Sequence, residues 1–172
     1  MCLFKKKVVA VVVPPPPLVP SLEDYDNYVR QQVGDVPKLE TTWEEVKAEL
    51  ASLGLTLMLK DGCLPDTKIF HTNEAALILM VPFLTYPADY YVAELEIDCD
   101  DYSKWASADS SRIFKLSGAL QIWGHMPLGY HAFSGMRIAP VKYKLWEPNA
   151  GFECAGELFD FSEHEYTPDK WK

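Results

Sequence analysis

The sequence is short of positive charge: 16 Lys and Arg stand against 25 Asp and Glu, leaving a net charge of −9. Nucleic-acid binding needs basic surface to neutralise phosphates, so the balance argues against that class of partner. Cysteine is scarce as well. Cys2, Cys63, Cys99 and Cys154 are widely spaced and include no CxxC pair. Neither a zinc ribbon nor a disulfide framework is indicated, and a reduced compartment is the simpler expectation. No run approaches the ~20 apolar residues of a membrane span. What the chain has is hydrophobic material, 48% of 172 residues with 13% aromatic. That suits one domain of ordinary size whose core needs no staples.

The N-terminus is of a different character. Met1 to Lys7 is basic, Val8 to Val13 is mostly valine, and Pro14 to Pro17 with Pro20 follow. Charge followed by an apolar run is the order of a secretory leader. Here the run is short, and prolines stand where small cleavage-site residues belong. Proline fixes φ and lacks a donor, which imposes an extended polyproline conformation. Residues 1–20 are therefore expected to form an extended Pro-rich arm, either disordered or lying on the surface of a larger protein assembly. Residues 21–172 are expected to form a single domain.

Helix signals fill the first half of that domain. Ser21 is an N-cap for a helix through Val33. Thr42 and Glu45 make a capping box for a helix ending at Gly54, and Asn73 caps a third over Glu74 to Leu79. Leu55 to Leu59 alternates like a strand before an Asp61-Gly62 turn. The apolar run Tyr91 to Ile97 is strand-like too. Met58, Met80 and the leucines are expected in the core.

Asp98-Cys99-Asp100-Asp101-Tyr102 then opens a helical stretch to Phe114. Asp98 is a good N-cap, and Asp100 and Asp101 fall in the first turn, where the helix dipole favours anions. Cys99 is thereby placed at a helix N-terminus, where unpaired N–H groups stabilise a thiolate or an oxyanion. Beyond this helix the pattern turns to β. Gly118 to His125 reads as a strand, Pro127-Leu128-Gly129 as a turn, and Tyr130 to Ile138 as the return strand. Val141 to Glu147 is a third strand and Phe152 to Phe159 a candidate fourth, with Ser162 to Lys172 a tail passing from ordered to frayed. This is an α+β layout: N-terminal helices, a thiol at a central helix start, then an antiparallel sheet.

Cys99 is followed by His131 and then by Glu147, the latter two on strands that can be neighbours. Nucleophilic thiol chemistry needs those types in those roles: a base to take the thiol proton, and a third group to hold the base's tautomer and support its charge. Asn149 is the alternative orienter. His71 and His164 are expected at the surface, His125 at a strand end, and Cys63 and Cys154 as packed thiols. The acidic stretch from Glu157 to Asp169 is expected to be a solvated face.

The segments Asp98 to Tyr102, Tyr130-His131-Ala132-Phe133 and Leu145-Trp146-Glu147-Pro148-Asn149 together resemble the papain-like and transglutaminase-like cysteine hydrolases. Within that group they are similar to the C-terminal protease domain of the fairy-ring mushroom agglutinin and to small phage-encoded proteins. The resemblance covers less than a third of the chain. It implies a papain-like core, with Cys99 as nucleophile, His131 as base and Glu147 as orienter. Agglutinin-type members add calcium dependence. The chain departs from the group in two respects: Phe133 stands two residues after the histidine, where members commonly carry Asn or Trp, and the thirty residues before Cys99 contain no glutamine to serve as an oxyanion donor.

Three functions follow as expectations. The first is a thiol hydrolase or transferase acting on a peptide or isopeptide bond in a protein or peptide substrate. The second is a catalytically retired domain serving as a phage virion adaptor, docked through the arm. The third is a calcium-binding module. For the first, the three aspartates around Cys99 disfavour a thiolate, since like charges within ~4 to 6 Å oppose ionisation. Calcium bound by Asp98, Asp100 and Asp101 would reverse that field, so calcium-dependent thiol chemistry is the expectation.

Overall fold

The computed structural model describes residues 21–59, 66–91 and 97–172. The arm, the Asp61-Gly62 turn, Cys63 and most of the Tyr91–Ile97 run lie outside the described residues. Where the sequence carries a cap, a helix follows it. The Ser21 hydroxyl accepts from the Asp24 N–H at 3.1 Å, and α1 runs over Leu22–Val33. It stops at Gly34, whose φ of 79° is open to glycine at little cost. Thr42 and Glu45 close the expected capping box ahead of α2 (Trp43–Ser52), and Asn73 caps α3 (Glu74–Met80). Asp98 and Asp101 form a second capping box at the start of α4 (Cys99–Phe114).

The strands are β1 (Leu39–Thr42), β2 (Thr56–Leu57), β3 (Lys68–His71), β4 (Ala119–Met126), β5 (Gly129–Ala139), β6 (Lys142–Trp146) and β7 (Thr167–Trp171). β1 and β3 form a separate antiparallel ribbon. The other five make one sheet in the order β2-β7-β4-β5-β6. The fold is α+β. Its sheet is mixed and not purely antiparallel, because β2 runs parallel to β7.

Several expectations need correction. Met80 is in the core, but Met58 is exposed, as are Leu22, Leu39, Leu53, Leu79 and Leu128, which lie on outward faces or at a turn. The tail beyond Ser162 is not frayed: β7 fills the slot between β2 and β4, and Trp171 is buried against Trp43 with ring centroids 5.0 Å apart. Indole burial outweighs the polarity of its neighbours. Phe152 to Phe159 is not a strand, because Gly151 and Gly156 (φ 80°) break it into turns. It touches the sheet at isolated points: Phe159 exchanges N–H···O bonds with Leu145 at 2.9 and 3.0 Å, and Ala155 bridges Glu147. His71 is buried, not at the surface.

The sheet lies between two cores. Val29, Val33, Leu77, Met80, Ala106, Ile113, Met136 and Trp146 pack together around α1, α3 and α4. Val46, Leu50, Leu120, Ile122, Phe133, Leu145 and Trp171 pack together around α2 and β7. β5 is consequently buried without alternation from His131 to Ile138. A strand covered on both faces must satisfy any polar side chain it carries. Arg137 is held by both oxygens of Glu49, at 2.8 and 2.9 Å, and donates to His71 Nε2 at 3.0 Å. Ser134 meets Ser103, and His131 meets Glu147.

Candidate active site

Cys99 is the first residue of α4 and is half-buried. Asp98 holds extended backbone, and its carboxylate accepts from the Asp100 N–H at 3.0 Å. The Asp101 carboxylate returns to the Asp98 N–H at 3.2 Å. The Cys99 N–H stands at the first helical position, one of the four whose donors the helix itself leaves unsatisfied. A row of small hydroxyls on α4 then fixes the helix over the sheet. Ser103 Oγ donates to the Phe133 carbonyl and Ser107 Oγ to the Ala119 carbonyl, both at 2.8 Å. Tyr102 donates to the Pro87 carbonyl at 2.7 Å. The Ser103 bond lands two residues from His131, which is how the helix start is brought to the imidazole.

His131 sits opposite Gly124 in the β4–β5 ladder. Gly124 is needed there because a Cβ would strike the Thr167 carbonyl and the Pro168 backbone of β7. The imidazole Nε2 meets Glu147 Oε2 at 2.8 Å, and the ring lies 4.7 Å from that of Phe152. With Nε2 committed to Glu147, Nδ1 is the nitrogen left for the thiol. Burial pulls the imidazole pKa down, but hydrogen bonds to Cys99 and Glu147, with their charges, outweigh it and raise the pKa to about 9. A base of that strength, next to a thiol, can hold the thiol's proton at neutral pH.

Glu147 is fully buried. Its Oε1 accepts from the Asn149 N–H at 3.0 Å. Its Oε2 accepts from the Tyr166 hydroxyl at 3.1 Å as well as from His131. Cys99, His131 and Glu147 are thus brought together. Asn149 is close but does not orient the imidazole: its side-chain Oδ1 accepts from the Gly151 N–H at 2.8 Å. Cys154 is a packed thiol, as expected, and burial raises its pKa to about 11. Tyr166 was not legible as a site residue, because one tyrosine in an acidic C-terminal stretch carries no motif.

The carboxylate oxygens of Asp98, Asp100 and Asp101 fall within 4.8 Å of one another. Lys104, one turn along α4, bonds Asp101 at 3.0 Å and also Asp100. A hydrogen bond to Asp100 raises the Asp98 carboxyl pKa, while the Asp98 bond and then Lys104 lower that of Asp100. Three hard oxygens suit a hard cation in kind. The Lys104 ammonium, however, already rests on two of the carboxylates.

No protein-family model matches the chain, and no curated protein matches it. Among solved structures it is similar to one described as "PSL1a-E64 complex", at 16% identity and a TM-score of 0.47. The likeness covers 77% of this chain and 51% of that one, so the chain spans about half the length of that structure.

Proposed function

We propose that the protein is a papain-like thiol hydrolase or transferase acting on a peptide or isopeptide bond, with Cys99 as nucleophile, His131 as base and Glu147 as orienter. The observation that carries this reading is a buried imidazole bonded at 2.8 Å to a fully buried carboxylate, with the half-buried thiol of a helix start beside it. Three such groups in series are what covalent acyl transfer requires.

In the reaction, the Cys99 proton passes to His131 Nδ1 and the sulfur attacks the substrate carbonyl carbon. The Cys99 N–H, at the first position of α4, is the donor this reading assigns to the developing oxyanion in place of the missing glutamine. Collapse breaks the C–N bond, and the departing amine takes the proton from His131. A water, or an amine in a transferase, then attacks the thioester and gives its proton to His131. The thiolate leaves and is reprotonated. Glu147 keeps the imidazole in the tautomer that presents Nδ1 to sulfur and supports its positive charge throughout. Calcium, if bound by Asp98, Asp100 and Asp101, would weaken the negative field beside the thiolate. It would have to displace Lys104.

The test is peptide-resolved alkylation of Cys99 by iodoacetamide, followed by mass spectrometry, alongside hydrolysis and amine-exchange assays on a peptide library. His131→Ala should slow alkylation at neutral pH by about 100-fold. Equal rates in the two proteins would remove the enzyme reading and favour a retired domain acting as an adaptor.

A further inference from the structure

Glu147 is served by donors that follow one another in a line. The Cys154 thiol lies 3.7 Å from the Tyr166 oxygen as a donor to it, and the Tyr166 hydroxyl donates to Glu147 Oε2 at 3.1 Å. His131 Nε2 reaches the same Oε2 from the other side at 2.8 Å. Burial raises the pKa of the Tyr166 phenol, reinforced by the neighbouring Glu147 charge, so the hydroxyl keeps its proton. Tyr166 is itself fixed. It is buried, its ring packs edge-on to Phe133 at 5.0 Å and tilted against Phe159 at 5.0 Å, and its centroid is 6.4 Å from that of His131.

We infer that Tyr166 is a positioning residue of the thiol centre: it shares the Glu147 oxygen with His131 and thereby sets how strongly that carboxylate supports the imidazolium. The inference rests on the reading of Cys99, His131 and Glu147 as that centre. A hydroxyl bonded to a carboxylate stabilises the bare anion more than the anion already paired with a cation. Tyr166 therefore opposes protonation of His131, while Glu147 and Cys99 promote it. The titratable groups facing this imidazole are Cys99 from α4, Glu147 at the end of β6 and Tyr166 ahead of β7, with Cys154 behind Tyr166. Cys154 acts in the same direction as Tyr166, because a donor to the phenol oxygen polarises its O–H.

The experiment is an NMR titration of the His131 ring nitrogens in the full chain, paired with alkylation of Cys99. Tyr166→Phe should raise the His131 midpoint by about half a pH unit, a threefold change in its acid constant. Cys154→Ala should shift it the same way by less, which keeps a second readout if the first variant folds poorly. In a Glu147→Gln background, Tyr166→Phe should shift nothing further, because the shared oxygen no longer carries a charge. An unchanged or lowered midpoint in folded Tyr166→Phe would overturn the inference and make the tyrosine a packing residue only. Failure of the underlying reading looks different: the wild-type midpoint would then ignore both Glu147→Gln and Cys99→Ser.

Discussion

Replacing Glu147 by Gln is the sharpest probe of the centre, because it keeps shape and removes charge. His131 is raised from 6.5 to about 9, and at 1.36 kcal/mol per unit that is about 3 kcal/mol of preference for the protonated ring in the folded state. A folded pKa above the unfolded one gives stability that is fully present below pH 6.5 and is lost as pH rises through about 9. Cys99 shares in the rise, so the part owed to Glu147 is about 1.5 to 3 kcal/mol. The glutamine has a second cost. Glu147 Oε1 receives the Asn149 N–H, while Oε2 receives Tyr166 and His131. An amide offers one oxygen only, so some buried donor must face its NH₂ group, at about 1 to 3 kcal/mol. That second cost does not depend on pH. Urea unfolding near pH 6 and near pH 9.5 separates the two: the variant's deficit should be larger at the lower pH by about 1.5 to 3 kcal/mol. The Cys154 thiol, at about 11, stays outside this window. An equal deficit at both pH values would mean that Glu147 does not hold an imidazolium, and the charge argument would fall.

Other perturbations test the frame around it. Trp171→Ala empties a fully buried indole site next to Trp43 and should cost about 3 to 5 kcal/mol by thermal or urea unfolding; an unchanged melting temperature would show that β7 is dispensable. Arg137→Met strands Glu49, which keeps its Tyr143 partner at 2.8 Å but loses its cation, and should destabilise by about 3 to 5 kcal/mol. Its reference is the double variant with Glu49→Leu, in which much of the loss should return. Calcium should speed Cys99 alkylation at neutral pH relative to excess chelator, and more so in Lys104→Gln, where nothing competes for Asp100 and Asp101. Coincident rates would leave the three aspartates as a helix cap neutralised by Lys104.

Much of this was legible because it is local. Ser21, Thr42, Asn73 and Asp98 each act within three residues, so the four helix starts follow from the sequence alone. The β4–β5–β6 meander was legible for the same reason, with short turns between patterned runs. The meeting of His131 with Glu147 then followed from pairing neighbouring strands. What was not legible depends on partners far away in sequence. His71 looked like a surface residue because its partner Arg137 lies 66 positions on. Tyr166 and Trp171 stand in an acidic stretch whose charges point to solvent, and only the sheet slot between β2 and β4 reveals their burial. Phe152 to Phe159 had a strand's composition, but its glycines take it out of extended backbone.

The placement of β7 also governs when the centre comes into being. β4, β5 and β6 can zip through near neighbours, whereas β2 and β4 are joined only by a strand distant from both: Thr56 pairs with Lys170, and Ile122 with Trp171. Closing such long loops costs entropy before any contact repays it, which places β7 among the non-local pairings that topology makes slowest to form. Until it closes, β4 keeps an open edge and Glu147 lacks its hydroxyl partner Tyr166. On the proposed function, the last strand to join the sheet is also the one that brings the Tyr166 hydroxyl to Glu147, so completing the fold and setting the strength of the centre's carboxylate are one event.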